Sequence, residues 1–173
     1  MIIYGLHKYL TDPASVDNTS FSNRGTSEAQ EGLGVTLKNR DDARRELQGR
    51  IGQDVYWGRK PGGIKPAYMV LDVVADSSQS VTSGVTGSNE ALVQIDCFTN
   101  GHQASQRNEV LAFLVRMACD GFRGKKWGDY FVGSCVLQNI ASDQLEPIGA
   151  KGKWTFVTSL DFNVSYKTPS PIF

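Results

Sequence analysis

The chain reads as an α+β protein. A mostly antiparallel β-sheet of about four main strands carries one long helix, at about 102–120, on one face, with short helices at the N-terminus. Three observations predict this class. Residues 154–166 alternate without a break: Trp154, Phe156, Thr158, Leu160, Phe162, Val164 and Tyr166 fall on one side, and Thr155, Val157, Ser159, Asp161, Asn163 and Ser165 on the other. A period of two is the mark of a half-buried strand, because successive strand side chains point to opposite faces. Val110, Leu114, Ala118 and Phe122 step by four, with Leu111 and Val115 alongside, which is one apolar stripe of a surface helix. The other strand-like stretches come in neighbouring pairs before and after that helix, so hairpin pairing is available to them.

In chain order, residues 2–11 place Ile2 or Ile3, Leu6, Tyr9 and Leu10 on one helical face. Asp12-Pro13 ends this helix, since a residue before proline disfavours the helical region. Residues 14–38 are rich in Ser, Thr, Asn and Gly and read as a long loop, or as a segment ordered only by a partner. Asn39 then fits an N-cap, with Asp41 and Asp42 at the positive first turn of a helix that buries Ala43, Leu47 and Ile51. Arg44, Arg45 and Arg50 lie off that row. Residues 56–65 form a turn-rich loop. Residues 68–75 and 91–98 are strands joined by the long connection 76–90, whose Ser, Thr, Gly and Asp suit turns. Gly121 sits where a helix-terminating glycine belongs, a basic turn follows at 123–128, and 130–140 is the next strand. Residues 143–152 are a turn region and 169–173 a tail. The whole of 1–173 reads as one domain.

Eighteen basic residues balance eighteen acidic ones, so bulk charge gives no argument for nucleic acid or an anionic membrane. No apolar run approaches the roughly 20 residues that span a bilayer. The opening residues lack the basic start and small-residue cleavage site of a signal peptide, which makes intracellular synthesis the expectation. Three widely spaced cysteines, Cys97, Cys119 and Cys135, form no CxxC pair and have apolar neighbours, so they read as buried reduced thiols.

The search for chemistry returns little. His7 and His102 have neither a nucleophile nor a metal-ligand spacing beside them. The glycine-rich stretches at 58–63 and 149–154 lack the G-K-[ST] that lets a loop hold phosphate. Asp72, Asp96 and Asp161 sit mid-strand. Opposed carboxylates can do acid–base work, but their neighbours Gln94, Asn163 and Ser159 mark the less buried face. Two basic loops stand out as candidate interface: Arg59, Lys60 and Lys65 in the first, and Arg123, Lys125, Lys126 and Trp127 in the second. Each fits either a surface that meets acidic protein or one that meets nucleic acid. Asn163, on the polar side of the last strand, completes the candidate set. No catalytic residue, metal or cofactor is implied.

Several stretches taken together resemble a known family. They are Asp54-Val55-Tyr56-Trp57-Gly58-Arg59-Lys60-Pro61 leading into Pro66-Ala67-Tyr68-Met69-Val70-Leu71; Val93-Gln94-Ile95-Asp96-Cys97-Phe98; Cys119-Asp120-Gly121-Phe122-Arg123-Gly124; and Ser159-Leu160-Asp161-Phe162-Asn163-Val164-Ser165-Tyr166. This succession, from about 55 to 166, resembles the tail completion, tail terminator or tail-to-head joining proteins of long-tailed bacteriophages. The stretch at about 16–39 departs from the family as an insertion.

The resemblance implies a structural virion protein. Such proteins form a hexameric ring at the head-proximal end of the tail, stop tube polymerisation and offer the surface on which the filled head docks. The implied partners are other copies of the chain, the tail tube protein and the head–tail connector proteins, with room for a weak contact with genomic DNA and none for a membrane. The implied location is the tail or neck of a virion assembled in the host cytoplasm. No family catalytic residue carries over. Other readings stay open: a head-side connector or minor tail protein, a small α+β enzyme using Asp72, Asp96 or Asp161, and an oligomeric nucleic-acid binder using Arg123, Lys125 and Lys126.

Overall fold

The computed structural model describes residues 1–12, 33–59, 62, 65–78, 88–145 and 154–168. These form three helices, α1 (Ile2–Thr11), α2 (Arg40–Ile51) and α3 (Ala104–Cys119), and six strands. The strands are β1 (Val55–Trp57), β2 (Ala67–Ser78), β3 (Ser88–Asn100), β4 (Lys125–Trp127), β5 (Tyr130–Leu145) and β6 (Thr155–Lys167). They make one curled sheet in the order β1-β2-β3-β6-β5-β4.

This corrects the expected fold class in three respects. The sheet has six strands rather than about four. It is mixed, because β1 runs parallel to β2 while the other neighbours are antiparallel. The described helices are short, at 10, 12 and 16 residues; over 102–120 stands the 16-residue α3 in place of a long helix. The physical reasons are local. β1 and β4 have three residues each, too few for alternation to register, and they lie in stretches that read as loop and turn. Gly101 (φ 89°) and Gln103 (φ 55°) hold the approach to α3 in left-handed turns, and the backbone becomes extended at Asp120. Phe122 therefore sits past the helix and pairs instead with β5: its carbonyl accepts from the Cys135 N–H at 2.8 Å.

The helices cover one face of the sheet. The rows beneath them run Met69, Leu71 and Val73 on β2, Ala91 to Cys97 on alternate positions of β3, and Leu160, Phe162 and Val164 on β6. α3 is clamped onto β3 and β6 by Asn108, a buried amide. Its NH2 group donates to the Cys97 carbonyl at 2.7 Å and the Phe156 carbonyl at 3.2 Å, and its oxygen accepts from the Thr158 hydroxyl. All of its strongest hydrogen-bonding capacity is met, as burial of an amide requires.

α2 starts as its sequence requires, with the Asn39 side chain accepting from the Asp42 N–H at 2.9 Å. Of the arginines read as lying off its apolar row, Arg45 and Arg50 are exposed and Arg44 is not. Arg44 is 2% exposed; it donates to the Tyr9 carbonyl at 3.0 Å, pairs with Asp41 at 3.2 Å and lies over the Tyr9 ring. Arg40 donates to the Met117 carbonyl at 3.1 Å. These guanidiniums tie α2 to α1 and α3 through carbonyls at the helix C-terminal ends, where the helix dipole favours a cation.

α1 touches β1, β2 and β4, so it bridges the two borders of the sheet, which curls toward the helices. Gly5 makes this possible: a Cβ there would meet the Trp127 carbonyl oxygen at 2.4 Å. The apolar residues Val35 and Leu37, ahead of α2, are buried against the same core.

Candidate functional site

The face of the sheet opposite the helices is uncovered by any described helix. Its rows cross four strands: Tyr68–Phe98–Val157–Asp143, then Val70–Asp96–Ser159–Ala141, then Asp72–Gln94–Asp161–Asn139, then Ala75–Leu92–Asn163–Val136. Asp72, Asp96 and Asp161 all lie here, and each is held by a neutral donor. Asp96 accepts from Gln94 at 2.8 Å, Asp161 from Asn139 at 3.3 Å, and Asp72 from the Val73 N–H at 2.8 Å. No histidine joins them: His7 contacts the Val55 carbonyl at 3.2 Å and stacks on Trp57, and His102 is exposed in the turn before α3. Among the described residues no three His, Cys, Asp or Glu side chains group as metal ligands. A shallow cleft of about 280 Å³ on this face is lined by Ala75, Ser77, Glu90, Leu92, Gln138 and Asn163.

The predicted interface residues do not come together. Arg59 is exposed, and Lys60 lies outside the described residues. Lys65 is committed: its ammonium pairs with the Asp54 carboxylate, which also accepts from the Tyr56 hydroxyl at 2.9 Å. The hydrogen bond from Lys65 holds the Asp54 carboxyl below its usual range, and the same bond pushes the Lys65 ammonium up. This clip pins the start of β1 to the segment entering β2. Arg123 and Lys126 are exposed and Lys125 is half-buried. Trp127 is not at the surface at all. It is 0% exposed, stacked on Tyr9 at 5.6 Å and tilted against Phe122 at 5.2 Å, because β4 turns its ring under α1. Asn163 is exposed on the open face as its strand position requires.

The cysteines are free and buried. Burial pushes the Cys119 thiol up to about 12 and the Cys97 and Cys135 thiols well above their ordinary value, so none supplies a thiolate near neutral pH.

Two surface features escape the sequence reading. The first is the corner where α1 meets β1. Tyr4 and Trp57 are exposed there at 49% and 48%, with their rings 6.0 Å apart. The second is the far end of β5. Every residue from 138 to 145 is exposed, Ile140 and Leu145 among them. β4 pairs only with 130–132. The turn at 120–124 and the Asp120 carboxylate serve the outer edge as far as Leu137. Beyond that, the described side-chain bonds run inward to β6, from Asn139 to Asp161 at 3.3 Å and between Ser142 and Thr158 at 3.0 Å, or are local, from the Gln144 N–H to Asp143 at 2.7 Å. The available signal for the first feature was Tyr4, an aromatic off the apolar face of α1. For the second it was hidden, because two β-bulges in β5 break the period of two.

No family model matches this chain, and no curated protein matches it. Nineteen chains of solved structures match. One belongs to the virion of a native gene transfer agent particle; it is 15% identical, with a TM-score of 0.48, over 70% of this chain and 84% of that chain. A likeness at this level carries neither activity nor partners across.

Proposed function

We propose that this chain is a structural protein of a tailed phage-like virion. It forms a hexameric ring at the head-proximal end of the tail, ends tube polymerisation and joins tail to head. The observation that supports this most is the sheet itself. Four adjacent strands of 12 to 16 residues are packed on one face and left open on the other, with a bare overhang on β5. Such strands are far longer than the usual five or six residues, and their open surface suits assembly better than it suits a reaction. The sequence stretches that resemble tail completion proteins fall mainly on β1, β2, β3 and β6, with the α3–β4 turn, so the resemblance rests chiefly on the framework of the sheet. A structural and non-catalytic role belongs to this proposal, as do the tube protein and the connector proteins as partners.

Particles assembled without this chain should show filled heads unattached to tails, and tails of uncontrolled length, by electron microscopy. Normal joined particles lacking the chain overturn the reading. An antibody label at the head–tail junction separates the neck position from a head-side or minor tail position.

A further inference from the structure

Among the described residues nine large apolar side chains are exposed. Two of them, Tyr4 and Trp57, form the α1–β1 corner, while Val136, Ile140, Leu145 and Trp154 lie along β5 and the start of β6. These are different surfaces. A chain with two unlike adhesive patches associates head to tail, and a head-to-tail contact that closes by rotation makes a ring.

Their chemistry is complementary. The corner carries the exposed cation Arg59 two residues past Trp57. The β5 overhang carries the exposed carboxylate of Asp143 and no cation from 138 to 145. Aromatic and arginine side chains are the usual anchors of protein contacts. The overhang also offers main chain. Cys135 turns both its N–H and its C=O outward, and the Leu137 N–H points to Asp120. Strand alternation past the bulge then turns the main chain of Ile140 and Ser142 outward too. Soluble proteins guard such edges by shortness, lysine or a covering element. The two short borders obey this: His7 holds the Val55 carbonyl of β1, and α1 lies against β4. The long β5 border has only its bulges.

We infer that the Tyr4–Trp57–Arg59 corner of one copy docks on the free edge of the β5 overhang of the next, between Ile140 on its helix side and Asp143 and Leu145 on its open side. This deepens the ring reading and rests on it for closure, and it names the two surfaces that meet.

The test uses the full chain and two surface variants, one Trp57→Ser with Arg59→Glu, the other Ile140→Lys with Leu145→Lys. Circular dichroism and melting check that each is folded; Tyr4→Ser and Leu145→Gln replace any variant that is not. Sedimentation of the wild type should give a closed oligomer, and each variant alone should give monomer. An equimolar mixture of the two variants should give a dimer and nothing larger, because one intact patch on each copy still finds its mate. Variants that still form the wild-type oligomer overturn this interface and leave the ring reading standing. A mixture that stays monomeric overturns it as well. A wild type that stays monomeric at its highest concentration overturns self-docking in favour of a tube or head protein as the occupant.

Discussion

The closed corner and the bare overhang of the same sheet are built from opposite physics. At the corner, α1 bridges β1 and β4, Gly5 lies against the Trp127 carbonyl, and Tyr9, Phe122 and Trp127 stack beneath. Both border strands there are only three residues long, and α1 lies against each. At the overhang, eight consecutive residues of β5 are exposed on both faces, yet three of the four strands at that end belong to the best-paired part of the sheet. The contrast teaches that the fold spends its apolar side chains on closing one end of the curl. The other end is left to whatever the sheet meets.

Substitutions can break that contrast in graded steps. The largest effect should come from Phe162→Asp, which puts a carboxylate at a fully buried row of β6. A loss of about 4 kcal/mol or more is expected, enough to unfold the subunit, as read by urea denaturation. A well-folded variant would mean that the helix-side face is not the core. Next comes Gly5→Val. The added carbons have nowhere to go against the Trp127 carbonyl, and overpacking of this kind costs about 1–3 kcal/mol. A melting point equal to wild type would show that α1 is not seated on β4.

Asn163→Arg on the open face should change stability by about 0.5 kcal/mol or less, since the side chain is exposed. It should nevertheless impair assembly, measured by sedimentation, if the open face takes part in the ring. Loss of folding would sink the two-faced reading of β6.

The smallest effect concerns pH. The Asp54 carboxyl is held below its ordinary value of 3.8 by the Lys65 hydrogen bond, so its contribution is present above that value and is lost as pH falls through the lower folded value. The Lys65 ammonium is raised above 10.5, so its contribution is present below that value and is lost as pH rises through the higher folded one. The clip is therefore fully formed between roughly pH 4 and pH 10, and, being about a third exposed to screening solvent, it is weak. In Lys65→Met the Asp54 carboxyl should titrate closer to its ordinary value by NMR. An unmoved midpoint would remove Lys65 as the cause.

The sheet was legible where side chains alternate against one buried face without interruption. β6 keeps that period through all thirteen residues, and its pairing with β3 runs unshifted from Asn100↔Thr155 to Ser88↔Lys167. β5 was only partly legible. A simple period of two groups Val132, Ser134, Val136 and Ile140, whereas bulges put Val132, Cys135, Leu137 and Ile140 on the helix side. The expected end at 140 gave way to pairing that continues to Leu145. The candidate interface was less legible still. Lys65 and Trp127 look like surface groups in a basic, turn-rich sequence, and their neighbours across the chain, Asp54 and α1, take them out of circulation.

By itself the sequence determined the strands with long alternation, the N-cap at Asn39, the apolar stripe of α3 and the absence of a recognisable catalytic motif. These are local matters, set by a period of 2 or 3.6 and by the side chain at a single turn. Only the tertiary structure decided that the sheet has six strands, that Arg44 and Trp127 are buried, and that the aromatic corner and the β5 overhang stand exposed. Each of these depends on partners distant in the chain. Short strands exist only because a long one offers them an edge, and a side chain is free or buried only by what the rest of the fold brings against it.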